Sequence, residues 1–417
     1  MTRNARFSRR RLGAIGLALG TSTLLPGTAG IGCASGARDR AAEPSPEPSA
    51  EAGGTTRMRA EWIASVQNMD WPSRPGLSAG DQRAEYERLL DTAVANRLNA
   101  VFVQVRPTAD AFWPSPHEPW SHWLTGQQGR DPGYDPLSFL VEQAHGRGLQ
   151  VHAWFNPYRI TMGGGPEALV PDHPAREHPE WTFSYGGKLY YDPGVPAARA
   201  FVEKAVMHAV ENYDVDGVHL DDYFYPYPVE GEQLPDQRTF ETYGAGFGRI
   251  EDWRRENINL LVSELHRAIR SSRPRVRFGI SPFGIWRNRS SDPAGSDTRG
   301  SESYSTLYAD TLKWVREGWV DYINPQLYWP LGHPSADYAA LVPWWARAVE
   351  GTGVELYIGQ GAYRMGNRGW EDDAELSRHL AFNREHPRVD GDVFFSATSL
   401  DTNARAAIAR VVAEHYR

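Results

Sequence analysis

The chain of 417 residues has a single cysteine, Cys33, so an internal disulfide is impossible. It also has no excess of basic residues, because 44 Lys and Arg side chains are set against 52 Asp and Glu, for a formal charge of −8. A protein that binds a phosphate backbone needs a basic face to neutralise it. The charge balance therefore argues against nucleic acid as a partner.

Sequence signatures for metals and nucleotide cofactors are missing as well. The sequence contains no HExxH motif, no paired histidines at ligand spacing and no cysteine cluster of the kind that binds a catalytic metal. No glycine-rich phosphate loop follows the first predicted strand. We therefore predict a protein that uses neither a metal nor an organic cofactor.

Residues 1–33 have the composition of an export signal. A basic head containing SRRRL precedes a weakly apolar run of Gly, Ala and Leu, which is typical of twin-arginine signals. The run is too short and too rich in glycine to predict a membrane-spanning helix. It ends in Gly30-Ile31-Gly32-Cys33, an imperfect lipobox, so we predict a lipid anchor on Cys33. The alternative is cleavage nearby and a free secreted protein.

Residues 34–57 contain several prolines and almost no large apolar side chain, a composition typical of a disordered tether. Loss of residues 1–33 would remove five arginines and no acids, which changes the formal charge from −8 to −13. We therefore expect a protein of the cell envelope that contacts the membrane only through its lipid anchor. The oligomeric state stays open.

From residue 58 to residue 417, short β-branched or aromatic runs alternate with longer helical patterns. The predicted strands begin near residues 60, 99, 149, 214, 275, 321, 354 and 391. The predicted helices lie near 82–97, 135–147, 197–212, 251–271, 304–318, 337–350, 371–385 and 403–416. Eight such units predict an α/β fold, a single closed (β/α)₈ barrel. A doubly wound open sheet is the alternative.

Strand periodicity predicts which side chains point into the barrel, whose chemistry lies at the carboxyl ends of the strands. On the fourth strand, Val218 and Leu220 share the outer face, whereas His219 and Asp221 point into the mouth. The same test on three other strands predicts an inward position for Gln104, Arg106, His152, Trp154, Asn156, Asn324, Gln326 and Tyr328. Polar groups of four strands therefore converge at one end of the barrel. The residues predicted to bind substrate there are Gln104, Arg106, Asn156, Tyr158, His219, Tyr223, Asn324, Gln326, Tyr328 and Trp329.

Each of these residues also has a structural explanation. An inward Gln, Asn or His can simply satisfy its neighbours in a packed barrel. Asp222 lies where the strand becomes a loop, and there a carboxylate can cap a helix or hold a turn. For Asp221 we favour chemistry, because an inward carboxylate at a barrel mouth is costly unless it is used or paired.

Aromatic residues are abundant near the same predicted rim, and flat aromatic faces stack on the apolar faces of sugar rings. The candidates are Trp71, Trp113, Trp154, Tyr158, Tyr223, Phe224, Tyr225, Trp286, Tyr328 and Trp329. Some of them must belong to the core. As a group they predict a carbohydrate cleft, with a polysaccharide strand as the substrate.

Several long motifs resemble the glycosyl hydrolase-like 10 family, across nearly the whole chain from residue 57 to residue 400. They are MRAEWIASVQNMDWPS, VFVQVRPTADAFWPS, HAWFNPYR, YYDPGVPAAR, DGVHLDDYFYP, ISPFGIWRN, DYINPQLYW and LYIGQGAYRMG. The resemblance implies a (β/α)₈ barrel that acts on glycans. It also implies a relation to exported lipoproteins that cleave peptidoglycan strands stripped of their peptides. Glu61 and Glu302 depart from the family pattern, so neither acid is read as catalytic.

Glycoside hydrolysis usually needs two carboxyl groups, about 5–5.5 Å apart for retention and about 6.5–9.5 Å apart for inversion. Adjacent strand residues face opposite ways, so Asp221 and Asp222 are expected to make a poor pair on their own. Asp110, Asp292 and Asp297 are then the candidates for a second carboxyl.

Substrate assistance by a 2-acetamido group is a further possibility, because DGVHLDD resembles the DxxDxDxE pattern of barrels that use it. The mechanism therefore stays open. Two other functions also stay open: an inactive glycan-binding barrel, and a glycosidase on a neutral polysaccharide such as an α-glucan. Neither stacking platforms nor amide side chains distinguish one neutral glycan from another.

Overall fold

The computed structural model describes residues 57–416, so the predicted export signal, the anchor at Cys33 and all but the last residue of the predicted tether lie outside the described residues. The strands of this part of the chain are β1 (Met58–Ile63), β2 (Ala100–Arg106), β3 (Gln150–Phe155), β4 (Thr182–Tyr185), β5 (Lys188–Tyr191), β6 (Gly217–Leu220), β7 (Arg277–Ile280), β8 (Tyr322–Ile323), β9 (Glu355–Gln360) and β10 (Val389–Phe395). Eight of them are parallel and close into a barrel in the order β1-β10-β9-β8-β7-β6-β3-β2, whereas β4 and β5 form a separate antiparallel hairpin. The predicted (β/α)₈ barrel is confirmed.

Helices follow the strands and pack around the barrel. They are α1 (Ala79–Ala95), α2 (His122–Thr125), α3 (Pro136–His145), α4 (Pro174–Glu177), α5 (Pro196–Asn212), α6 (Gln237–Tyr243), α7 (Ile250–Ser272), α8 (Ser303–Thr306), α9 (Thr311–Arg316), α10 (Tyr338–Ala348), α11 (Glu375–Arg384), α12 (Ala397–Asp401) and α13 (Arg405–His415). Short 3₁₀ turns occur at Val66–Asn68, Pro166–Ala168, Pro179–Trp181 and Ala362–Arg364. Within residues 57–416, no helix combines the length and the apolar content that crossing a bilayer requires.

The two faces of each strand carry different layers of the core, as periodicity predicts. On β2, Val101 and Val103 pack outward in the large cluster between barrel and helices. Phe102, between them, packs inside the barrel with Trp62 and Tyr322. Burying each such side chain stabilises the fold by about 1.5–3 kcal/mol. The interior is therefore a filled core, and substrate can reach only its mouth.

Local capping explains where several helices begin. Ser78 accepts a hydrogen bond from the Asp81 amide, so α1 begins three residues before the predicted position. Asp135 caps α3 in the same way, with Pro136 in the first turn. The predicted helix at 304–318 is instead two short helices, α8 and α9. Asp310 caps the second of them by accepting a hydrogen bond from the Lys313 amide.

The connections at the carboxyl ends of two strands are longer than periodicity alone suggests. The segment between β3 and α5 contains α4 and the β4–β5 hairpin, and the segment between β6 and α7 contains α6. The hairpin was not predicted, because its strands are only four residues long. Both connections leave the same end of the barrel and border its mouth.

Glu61 lies on the outer face of β1, away from the mouth, where it is almost fully buried. Neither of its carboxyl oxygens has a hydrogen-bond partner within the described chain. Burial, and then the nearby Asp70 and Asp401 carboxylates, raises the pKa of Glu61 well above its usual value. Its position agrees with the decision not to read this acid as catalytic.

Candidate active site at the barrel mouth

Asp221 follows directly on the end of β6 and leans toward β3. Its Oδ2 accepts hydrogen bonds from Asn156 Nδ2 at 2.5 Å and from Trp154 Nε1 at 3.2 Å. Its Oδ1 accepts one from the Tyr223 amide at 3.1 Å. Three donors from two elements therefore hold the carboxyl group in one orientation.

Asp222 leans the other way, toward β8. Its Oδ1 accepts a hydrogen bond from Gln326 Nε2 at 3.0 Å, and its Oδ2 accepts one from the Tyr227 hydroxyl. Asp221 and Asp222 each expose only 5% of their surface. Because β6 ends at Leu220, strand alternation does not extend to Asp222. Both carboxyl groups lie at the carboxyl end of β6, and their side-chain partners from β3 and from the segment after β8 lie on opposite sides of it, so they face different ways as expected.

Burial and mutual repulsion shift both carboxyls in the same direction. Burial, and then the charge of Asp222, raises the pKa of Asp221 to about 7. Burial also raises the pKa of Asp222, which the hydrogen bonds from Tyr227 and Gln326 counteract. Two close buried carboxylates resist ionising together. The two carboxyls together therefore hold a proton to higher pH than an isolated aspartate does.

A chain of amides sets the orientation of Asn156. Gln104 Oε1 accepts hydrogen bonds from the backbone amides of Ser65 at 3.0 Å and Val66 at 2.8 Å. Gln104 Nε2 then donates to Asn156 Oδ1, which leaves Asn156 Nδ2 to donate to Asp221. Gln104 and Asn156 are both fully buried, so they position Asp221 and do not contact substrate. The prediction that they bind substrate is corrected.

Arg159 is the cation nearest to the pair. Its guanidinium donates to Asn156 Oδ1 at 3.0 Å and to the Pro107 carbonyl at 3.1 Å. It also lies over the ring of Tyr223, with Cζ 5.0 Å from the centroid. Its positive charge lowers the pKa of both Asp221 and Asp222, against the larger effect of burial.

Aromatic side chains that stay accessible surround the pair. Tyr223 exposes 38% of its surface and lies 5.3 Å from Tyr227, ring centroid to centroid. Across the mouth, Trp329 packs edge-on against Phe283 at 5.6 Å, and Tyr328 is also partly exposed. Tyr223, Tyr328 and Trp329 therefore lie where predicted, next to the partly exposed Gln326. Their arrangement offers flat apolar surfaces on both sides of the acids.

Four other predicted substrate-binding residues are fully buried. Arg106 is paired with Glu118, its Nε 2.7 Å from Oε2. Tyr158 lies in the outer core. His219 accepts a hydrogen bond from Trp62 Nε1 at 3.1 Å, and burial holds its pKa well below the usual value. Asn324 lies inside the barrel, also with no exposed surface. These four predictions are corrected, because no buried side chain among them reaches the cleft.

Most of the predicted rim aromatics belong to the core as well. The buried members of that set are Trp71, Trp113, Trp154, Tyr158, Phe224, Tyr225 and Trp286. Periodicity cannot separate them from the accessible ones, because loops decide what covers each ring. Among them, only Trp154 donates a hydrogen bond to either carboxylate of the pair.

The three proposed partners for Asp221 do not make contact with it. Asp110 is fully buried and accepts a hydrogen bond from Thr108 Oγ1 at 3.2 Å. Asp292 forms an ion pair with Arg287 at 2.6 Å in the loop after β7, and Asp297 is exposed in the same loop. The acid that interacts with Asp221 is its neighbour, Asp222. A catalytic role for Asp110 stays a prediction.

Glu302, in the connection after β7, has a structural role in that loop. Glu302 accepts hydrogen bonds from Asn288 and Ser305, which lowers its pKa and marks it as a loop anchor. Across residues 57–416, no group of three or more His, Cys, Asp or Glu side chains is arranged to hold a metal ion.

Sequence reasoning missed Arg159 and Tyr227, which both act directly on the acid pair. Pro157 interrupts the strand pattern between Asn156 and Arg159, so alternation gives no orientation for the arginine. Tyr227 follows the acids in an irregular loop, where periodicity carries no information. The available signal was proximity in sequence, because each residue lies within five positions of a predicted site residue.

A closed (β/α)₈ barrel with a buried carboxyl pair at its mouth and aromatic surfaces on both sides defines a glycoside hydrolase. The chain belongs to the glycosyl hydrolase-like 10 family, whose model matches residues 57–376. It is 51% identical over 352 residues to the glycosyl hydrolase YngK of Bacillus subtilis (strain 168), a match covering 83% of this chain and 69% of that protein. It is 40% identical over 362 residues to the glycosyl hydrolase DigH of Escherichia coli (strain K12), covering 81% and 82%.

Solved structures with the same fold are more distant in sequence. Alpha-L-fucosidase isoenzyme 2 from Paenibacillus thiaminolyticus superposes with a TM-score of 0.55 at 15% identity, covering 86% of this chain and 50% of that one. The glycoside hydrolase domain of PgaB (BpsB) from Bordetella bronchiseptica gives 0.53 at 12% identity, covering 85% and 98%. At these identities the similarity establishes the barrel fold alone.

Proposed function

We propose that the protein is an exported glycosidase that cleaves the N-acetylated glycan of the bacterial cell wall, in strands that carry no peptides. The observation that carries the proposal is the buried pair of Asp221 and Asp222, coupled electrostatically at a mouth lined by aromatic rings. Membership of the glycosyl hydrolase-like 10 family supports the activity. The glycan itself is what the family resemblance implies, and the aromatic rings at the mouth are compatible with it.

In the proposed reaction, Asp221 is the general acid. Its Oδ1 accepts one hydrogen bond, from the Tyr223 amide, so a lone pair remains for the proton. That proton passes to the glycosidic oxygen while the bond from this oxygen to the anomeric carbon breaks, with the bonding electrons leaving on oxygen. Water adds to the anomeric carbon, and the proton that it releases returns to Asp221.

Asp222 is the proposed anion of the pair. Gln326 and Tyr227 both donate to it, and hydrogen bonds to a carboxylate favour its charged form. A fixed negative charge beside the anomeric carbon stabilises the positive charge that develops there. Arg159 keeps the pair from taking up a second proton, because its charge favours the ionised form of both acids.

The preference for peptide-free strands rests on the resemblance to exported lipoproteins that cleave peptidoglycan strands stripped of their peptides. The accessible rings of Tyr223 and Trp329 are compatible with a sugar ring placed beside the acids.

The test is cleavage of defined glycans by the described domain, residues 57–417, purified without its leader. We expect new reducing ends from peptide-free peptidoglycan strands, and at least tenfold fewer from the same strands with their peptides attached. An α-glucan serves as the neutral comparison. Cleavage of the α-glucan alone would overturn the proposed substrate, whereas tight binding to several glycans without cleavage would identify a glycan-binding barrel.

We also propose that the protein is exported through the twin-arginine route and held in the membrane by a lipid on Cys33. The proposal rests on SRRRL, on the apolar run that follows, and on the position of Cys33 at its end. In the full-length chain, Cys33→Ala should move the protein from the membrane fraction to the soluble envelope fraction. Recovery of the unmodified parent in the soluble fraction would contradict the anchor and leave export alone.

A further inference from the structure

A cavity separate from the mouth opens between the loops after β2 and β3, on the same end of the barrel as the acids. Its volume is about 320 Å³, and Thr108, Trp123, Gln128, Ile160, Met162 and Leu169 are among the residues that line it. Small-molecule sites fall within roughly 300–1,000 Å³. The cavity is therefore large enough for one sugar residue and too small for several.

The cavity lies next to the acid pair along the chain of contacts already described. Arg159 joins Asn156 to the Pro107 carbonyl, and Asn156 donates to Asp221. Thr108 and Ile160 are the residues that follow Pro107 and Arg159, and both line the cavity. A glycan strand that extends from the acid pair past Arg159 would enter this cavity next.

Trp123 is built into the cavity in a fixed orientation. Its Nε1 donates to Thr108 Oγ1 at 3.0 Å, and Thr108 in turn donates to Asp110 Oδ1 at 3.2 Å. The His122 ring packs against Trp123 at 3.8 Å between centroids. Asp110 is fully buried, so this support does not depend on solvent. An indole held in this way is a preformed surface for a sugar ring.

The cavity combines one amide donor with an apolar wall. Gln128 Oε1 accepts a hydrogen bond from the Val170 amide at 3.1 Å, which leaves Nε2 to donate. Ile160, Met162 and Leu169 provide an apolar wall for a methyl group.

We propose that this cavity is a distal subsite that binds an N-acetylated sugar of the strand, with the ring on Trp123 and the acetamido methyl on the apolar wall. The subsite therefore helps to hold the strand across the acids. The inference rests on the proposed function, since it needs a glycan strand as substrate.

The experiment compares Trp123→Ala with the parent on peptide-free strands and on a disaccharide too short to reach the cavity. We expect KM on long strands to rise about tenfold, with kcat nearly unchanged and the disaccharide unaffected, because loss of remote binding weakens ground state and transition state equally. Trp120→Ala is the matched control. It removes a partly buried tryptophan from the same loop, but that tryptophan lines a different cavity.

Gln128→Ala provides a second route if Trp123→Ala melts well below the parent. It should raise KM on long strands and spare the disaccharide. Equal KM values on long strands for the parent and both variants would overturn the subsite, while cleavage by the parent would still uphold the proposed function. If the parent neither cleaves nor binds a glycan strand, the proposed function itself fails.

Discussion

Replacing Asp221 with Asn should lower kcat on peptide-free strands by about 10²–10³-fold or more, the scale for removing a group that acts mainly in the transition state. The variant keeps the shape of the side chain, and its amide oxygen can still accept from Asn156 and Trp154, but its NH2 group then meets the Tyr223 amide, so that one hydrogen bond is lost. The loss should nearly vanish on a chitooligosaccharide with a 4-nitrophenolate leaving group, because such a group departs without protonation.

Asp292→Asn is the matched control for Asp221→Asn. Asp292 was a candidate second carboxyl, but it is paired with Arg287 in the loop after β7. We expect the kcat of the Asp292→Asn variant to stay within a few-fold of the parent value. Both variants should melt near the parent temperature. Nearly normal cleavage of natural strands by Asp221→Asn would remove this residue from the mechanism, and an equal loss on the activated substrate would show that it is not the acid.

Replacing Asp222 with Asn should lower kcat by a similar factor on both natural and activated substrates, because stabilisation of the anomeric charge is needed with either leaving group. It should also change the pH profile. In the parent, kcat/KM should fall as pH rises through about 7, the pKa of Asp221, since a general acid works only while it is protonated.

Loss of the Asp222 charge removes the repulsion that helps to raise the pKa of Asp221. The alkaline limb of the residual activity should therefore move to lower pH, by about one unit. Carboxyl-carbon NMR of the parent and Asp222→Asn offers a direct reading of the same shift. An alkaline limb that stays in place would show that burial alone sets the pKa. An activity that rises through pH 7 would assign Asp221 as the ionised group.

Sequence periodicity predicts the orientation of side chains within strands, but it gives no orientation for residues in irregular loops. Val218 and Leu220 were assigned to the outer face correctly because a strand alternates with a period of two. Asp222 lies two residues past Leu220, where β6 ends, so alternation could not give the partners of its carboxyl group. The closed barrel and the position of Asp221 were therefore within reach, whereas the pairing of the two acids was not.

Burial was the other quantity that periodicity could not provide. Tyr158 and Tyr223 look alike in sequence, since each follows a strand end with a polar residue two positions earlier. One is fully buried in the outer core and the other exposes 38% of its surface. The difference comes from the connections after β3 and β6, whose paths depend on short local contacts. Arg159 and Tyr227 lie in those connections and were missed for the same reason.

The chain of amides from β1 to the acid pair has a direction. Backbone N–H groups at Ser65 and Val66 can only donate, so Gln104 must turn its oxygen toward them, and Asn156 must then turn its nitrogen toward Asp221. Neither amide can flip without leaving two donors or two acceptors face to face. The backbone amides of Ser65 and Val66 therefore determine, through the side chains of Gln104 and Asn156, that Asp221 faces a hydrogen-bond donor. The orientation of the Asp221 carboxyl group therefore depends on Gln104 and Asn156, which are both buried.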